Sequence, residues 1–211
     1  MKELVFAASI FVASHMVGAV KPLRAALVTR IGERAYLALY SLVSLVLLGW
    51  FVLAYQRASH VALWSSHPWG HWGALVVMAF ACVLLIAGLS CPNSLSLSLR
   101  GGACDPARPG IVAATRHPVP WALALWAAVH ALANGDAASL VLFGFLLLLS
   151  VVGTFALDAR RKRALGAEAW NRVAGATSNA PFAALVARRL PFSAVFVPRW
   201  PILAGFALYV S

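Results

Sequence analysis

The sequence predicts an all-α, polytopic membrane protein, a bundle of about six transmembrane helices with its N-terminus outside. Three observations lead there. Of 211 residues, 62% are hydrophobic and only 11% charged, whereas a soluble domain carries roughly a quarter charged residues. The apolar residues gather in runs near the roughly 17 to 25 residues that a helix needs to cross a hydrocarbon core. Lysine and arginine collect on alternate loops, as the positive-inside rule requires of cytoplasmic segments.

The first run is Leu4 to Val20. Lys2 before it and the small residues Gly18 and Ala19 at its end resemble a signal peptide. Glu3 cancels Lys2, however, and Lys21, Arg24, Arg30 and Arg34 follow directly and resist translocation, so the run is expected to stay as a membrane helix. The second and third runs are Ala35 to Tyr55 and Trp72 to Ser90. The fourth, Val119 to Ala133, is short. Pro118 and Pro120 suit its first turn, where a missing N–H costs nothing, and Pro118 turns His117 out of helical geometry, placing it at the cytoplasmic mouth of that helix. The fifth run, Ala137 to Leu157, forms a hairpin with the fourth across Asn134, Gly135 and Asp136, with Gly135 left-handed and Asp136 capping the next helix. The sixth, Ala194 to Tyr209, is interrupted by Pro198, Arg199 and Pro201. A segment dipping into the interface is the alternative, but a kinked span is expected because the stretch Ile202 to Val210 otherwise has nowhere dry to go.

The intervals Cys91 to Pro118 and Asp158 to Pro191 are too short for independent cores, so residues 1–211 read as a single membrane domain. Ser94 to Leu99 alternates like a strand but alone makes no sheet, and is expected as an extended loop at the membrane surface. Ala156 to Trp170 reads as a basic surface helix at the headgroups, its charge serving topology.

A net charge of +11 would suit nucleic acid if it formed a patch, but fourteen of the seventeen basic residues fall on the first, third and fifth loops. The partner is therefore the lipid bilayer and not nucleic acid. Cys82 lies in a span, and Cys91 and Cys104 fall on the cytoplasmic side, where thiols stay reduced, so no disulfide framework is expected. A Gly-rich phosphate loop, H-E-x-x-H and G-x-S-x-G are all missing from the sequence.

Ionisable groups within the membrane are costly and mark function. His15 sits five residues from the cytoplasmic end of the first run, and His117 enters from that same side, a pairing that would suit a bis-imidazole haem or a metal. An interhelical hydrogen bond is the alternative role for His15, and a plain polar residue at a helix mouth beside Arg116 the alternative for His117. His130 lies thirteen residues beyond His117, about 20 Å along a helix, too far to share one iron, and reads as structural. His60, His67 and His71, with Trp64, Trp69 and Trp72, read as an interfacial belt. Cys91 before Pro92 reads as a plain thiol rather than a haem thiolate.

The stretch GIVAATRHP from Gly110 to Pro118, then LWAAVHALANGD from Leu125 to Asp136, resembles the NnrU family of bacterial membrane proteins. The likeness continues through SLVLFG from Ser139, DARRKR from Asp158, Gly166, Trp170 and TSNAPF from Thr177, and upstream through His15, Arg24, GERAY from Gly32, Tyr40 and Ser41. It covers nearly the whole chain. The resemblance implies an inner (plasma) membrane protein linked to denitrification and nitric oxide metabolism. A relative of that family, the plant 15-cis-zeta-carotene isomerase, holds haem b through histidines, which on the matching positions are His15 and His117. That implies haem b between the first and fourth helices, with Arg24, Arg116 and Arg160 pairing with its propionates. It also opens a second function, a haem-dependent cis-trans isomerase of a carotenoid-like polyene. A third follows from Arg116-His117-Pro118, which is also similar to membrane methyltransferases of the isoprenylcysteine type that use adenosylmethionine. Those enzymes carry an acidic pair where this sequence has the single carboxylate of Asp158.

Overall fold

The computed structural model describes residues 1–17, 20–65, 68–105 and 107–211; Gly18, Ala19 and His67 of the sequence reading lie outside them. Nine α-helices account for most of the described residues: α1 (Lys2–Val17), α2 (Lys21–Ile31), α3 (Glu33–Gln56), α4 (Pro68–Ser90), α5 (Pro118–Asn134), α6 (Ala137–Leu165), α7 (Ala167–Ala174), α8 (Ala183–Val186) and α9 (Arg199–Val210). Short 3-10 turns lie at Gly110–Ala113 and Phe192–Ala194.

By length and composition, three stretches among the described residues are long and apolar enough to cross a membrane: Glu33–Gln56, Gly70–Ser90 and Ala137–Leu165. Few of their side chains are inside the protein. On α3 only Tyr36, Phe51 and Ala54 are buried, while Leu42, Leu45 and Val46 stand more than half exposed. Water would not tolerate so large an apolar surface, and lipid would. α1 and α5, with 16 and 17 residues, fall just below that length. α9 has 12 residues, about 18 Å of helix against a core of about 30 Å. Pro198 is its N-cap, so the residues before it, expected to begin the sixth run, lie outside the helix.

The chain divides into two compact units. The first comprises residues 1–66 and 131–145. Here α1 packs on α3 through Leu4, Ala7, Ala8 and Phe11, which are buried with Phe51. The Phe11 and Phe51 rings lie 5.9 Å apart. α2 and α3 meet at Gly32, whose φ of +80° only glycine adopts cheaply. Arg24 bridges that break to Glu33 at 2.9 Å and lies over the Tyr36 ring. The residues after α3 dock on the α5–α6 turn: the N–H groups of Leu63 and Trp64 donate to Gly135 O, and Ala137 N–H donates to Val61 O.

The second unit comprises residues 67–130 and 146–211. Leu84 and Ala87 of α4 form its core with Ile111 and Val112 of the 3-10 turn, Ala114 directly after it and Ala122 of α5. Small residues permit the tightest approaches. A Cβ at Gly88 would lie 2.9 Å from Pro118, and one at Gly205 of α9 would lie 2.6 Å from Val83 Cα on α4. Asp158, Arg160 and Arg163, expected on a separate surface helix, instead extend α6, which ends at Leu165 before Gly166. Ser94 to Leu99 forms a loop and no strand, and it begins with a turn at Ser94 and Leu95, where Asn93 Oδ1 accepts Leu95 N–H.

Candidate functional site

The loop after α4, the α5 mouth and the end of α6 converge in the second unit on Arg116, His117 and Asp158. Pro118 and Pro120 begin α5 as expected, and His117 precedes it in non-helical geometry. Its side chain is 0% exposed. Nε2 lies 2.9 Å from Asp158 Oδ1 and Nδ1 lies 2.9 Å from Ser96 Oγ. A carboxylate accepts only, so Nε2 carries the proton toward Asp158, and Ser96 O–H donates to Nδ1 when the ring is neutral. Burial lowers the His117 pKa, although the hydrogen bond and charge of Asp158 oppose it.

Arg116 takes the other oxygen of the same carboxylate, with Nη1 2.6 Å from Asp158 Oδ2. Nε donates to Thr177 Oγ1 at 3.1 Å, and Nη2 donates to the carbonyls of Ala174 and Thr177. Its guanidinium lies 4.9 Å from the centre of the Trp170 ring. Main chain reinforces this: Arg116 N–H donates to Ser178 O at 2.7 Å, and Asn93 Nδ2 donates to Arg116 O at 2.9 Å. Thr115 Oγ1–H and Trp121 Nε1–H both donate to Asn179 O. Residues 174–182 thus close over the α5 mouth. Phe182 pays for that course with a left-handed φ of 61°, while its N–H donates to Ala114 O at 2.6 Å.

The connectivity Ser96–His117–Asp158 is that of a nucleophile, base and orienting acid. Ser96 is only 7% exposed, and neither of the two described cavities is lined by any of the three. Ser96 and His117 are therefore largely closed off from solvent in this arrangement, while the Asp158 side chain stays 20% exposed.

In the first unit, His15 Nδ1–H donates to Phe11 O at 2.8 Å, which leaves Nε2 of the neutral ring as the unprotonated nitrogen. Its ring packs edge-on to Tyr40, 5.9 Å away. Tyr40 lines an open cavity of about 310 Å³ together with Ser14, Arg24, Tyr36 and Ser44. Ser44 Oγ is shut off from solvent and makes no hydrogen bond of normal geometry.

An axial pair needs one unoccupied nitrogen from each histidine. His15 fits that role. His117 does not fit it as arranged, because both of its ring nitrogens are engaged and the side chain is closed off. Arg160 is exposed on α6 and forms no ion pair among the described residues. His130 Nδ1–H donates to Trp126 O at 2.8 Å, a helical contact like that of His15. Among the described residues, no group of three or more His, Cys, Asp and Glu is placed to hold a metal ion.

The sequence reading did not single out Ser96, nor Asp158 as a partner of His117. Asp158 stood out only as the carboxylate that opens the DARRKR stretch, where the similar methyltransferases carry an acidic pair. A second cluster was also missed. Asp136, expected only as a cap, does accept Ser139 N–H at 3.0 Å, and it also binds Ser139 Oγ and His60 Nδ1. The Tyr55 hydroxyl, Oη, lies 3.0 Å from Ser139 Oγ.

The chain matches the NnrU protein family over residues 3–210 and belongs to it. The stretches that close the α5 mouth are those on which the resemblance rests: Arg116-His117-Pro118, Asp158, Trp170 and Thr177 to Phe182. No curated protein and no solved structure shows a significant match.

Proposed function

We propose that this NnrU protein is a multi-span protein of the bacterial inner membrane, N-terminus outside, that binds haem b and serves denitrification or nitric oxide metabolism. The observation that supports haem is the setting of His15: Nδ1 is committed to Phe11 O, and Tyr40 joins the ring to an open cavity with Arg24 at its edge. In that reading His15 is a ligand and Arg24 exchanges Glu33 for a propionate. Bound haem supplies a redox-active iron to which nitric oxide can add. His117 takes part as a ligand only by releasing Ser96 or Asp158, so Arg116, His117 and Asp158 serve first as the latch that orders the α5 mouth.

A second reading keeps the haem and adds polyene cis-trans isomerisation. It is favoured by the walls of the same cavity, where Leu23, Leu27, Leu39 and Val43 would suit a hydrocarbon. An adenosylmethionine-dependent methyltransferase is less favoured, since Asp158, the carboxylate it would use, already serves Arg116 and His117.

The test is an oxidised and dithionite-reduced absorption spectrum of detergent-purified protein, with a pyridine haemochrome assay. About one haem per chain, lost in His15→Ala, supports the reading. If Ser96→Ala raises haem content while His117→Ala removes it, His117 is the second ligand. Colourless protein after expression with added haem discards the cofactor, and binding of adenosylmethionine would then bring the methyltransferase forward.

A further inference from the structure

A cavity of about 270 Å³ lies in the second unit where the end of α4 meets the start of α9. Arg100 and Arg108 are on its rim, Phe196 and Trp200 form an apolar wall, and Cys91 and Cys104 face into it. Gly110 sets the wall with a φ of +59°, its missing Cβ leaving room for Phe196 O at 3.0 Å. Both arginines are exposed, and neither forms an ion pair among the described residues. The lining holds one acidic residue, Asp105, and its Oδ1 accepts Ala107 N–H within its own turn. Two cations and the single carboxylate of Asp105 therefore line this opening, which leaves it a net positive charge, and no ion pair among the described residues ties either arginine to that carboxylate.

Burial raises both thiols, that of Cys91 to about 11, so they are neutral near pH 7 and do not repel an anion. The cavity stands at the end of α4, whose Gly70–Ser90 stretch is long and apolar enough to span, which puts it at headgroup depth. Leu97 and Leu99 of the adjoining loop are 49% and 83% exposed, as suits side chains that face acyl chains.

We propose that this cavity holds the phosphate headgroup of an anionic membrane lipid, with Arg100 and Arg108 as its cationic clamp and the acyl chains lying along the exposed leucines. The volume is near the lower end of small-ligand pockets, about 300 Å³, enough for a headgroup but not for a whole lipid. Basic pockets at the cytoplasmic surface bind such headgroups, and each well-placed arginine contributes about a fivefold preference. The site is separate from the α5 mouth and does not depend on haem.

The test uses full-length protein in phosphatidylcholine nanodiscs with graded phosphatidylglycerol, reading lipid retention by native mass spectrometry. Wild type is expected to retain phosphatidylglycerol over phosphatidylcholine by up to about twenty-five-fold, the product of two such arginines. Arg100→Gln with Arg108→Gln should bring that near parity and leave helicity and melting temperature in pure phosphatidylcholine unchanged. Arg188→Gln, an exposed arginine away from the cavity lining, should leave the preference intact. Equal preference in wild type and the double variant, or equal loss in Arg188→Gln, overturns the proposal. Displacement of the lipid by inorganic phosphate also overturns it, because the occupant would then be a soluble phosphate.

Discussion

His117 and Asp158, 41 positions apart in the chain, meet with Nε2 2.9 Å from Oδ1, and the adjacent Arg116 takes the second carboxylate oxygen at 2.6 Å. One carboxylate thus serves two side chains that stand next to each other at the start of α5. Among the described residues neither Arg116 nor His117 has another acidic partner. The arrangement concentrates the cost of losing Asp158.

Asp158→Asn leaves the Arg116 cation buried with only hydroxyl and carbonyl acceptors. Breaking a buried ion pair from one side costs about 3–5 kcal/mol, so a large fall in detergent melting temperature is expected. Glu168→Gln, which loosens the solvent-exposed Arg172 pair, should not move the melting temperature measurably. Equal effects from the two changes would mean that the α5 mouth is not held by this carboxylate.

Stability should also fall on mild acidification. In the folded chain His117 titrates below its usual 6.5 because burial disfavours the cation. The unfolded chain then binds the proton more readily, so stability contributed by the neutral ring is complete above pH 6.5 and is lost progressively as pH falls toward the lowered folded value. Melting curves of wild type between pH 7.5 and 5 should decline, and those of His117→Gln should be flatter over that window. A wild-type curve that rises on acidification would mean the imidazolium is the folded form.

Much of this fold could be read from local pattern, and the site largely could not. The runs at Ala35, Trp72, Val119 and Ala137 became α3 to α6 because lipid rewards unbroken apolar length regardless of partners. The Gly135 turn and the proline start of α5 were legible because each depends on a single residue's backbone. α2 was not seen, since Lys21, Arg24 and Arg30 break any apolar run and the helix lies where only a loop was expected. The pairing of His117 with Asp158 and Ser96 was beyond reach for a different reason. It depends on where three separate segments are carried by packing, and no spacing along the chain encodes it.

Gly135 offers a local test of the first unit. Its φ is +67°, and a Cβ there would lie 2.7 Å from Trp64 O, whose N–H in turn donates to Gly135 O. Gly135→Ala should lose about 1–2 kcal/mol to left-handed strain alone, and more as Trp64 is pushed off. Proteolysis between residues 57 and 65 is the appropriate readout. Unchanged protection there would show that the segment does not depend on the turn.

The α4–α9 contact sets what the last helix can do. At 12 residues, α9 is too short to cross a bilayer alone, yet Leu203 and Phe206 on it are exposed, so its hold on the protein comes from the face packed on α4. Gly205 is the closest point of that face, where an added Cβ would lie 2.6 Å from Val83 Cα. Backbone cannot yield as a side-chain tip can, so Gly205→Ala must push the two helices apart. The melting temperature should drop, and cleavage at the C-terminal end should become faster. Gly144→Ala on α6 is the control, because nothing lies within 4 Å of its Cβ position; alanine there should be neutral or stabilising through helix propensity, worth up to about 1 kcal/mol. If both alanines behave alike, helix propensity and not close packing governs the two positions, and α9 is held to the rest of the protein by something other than its seat on α4.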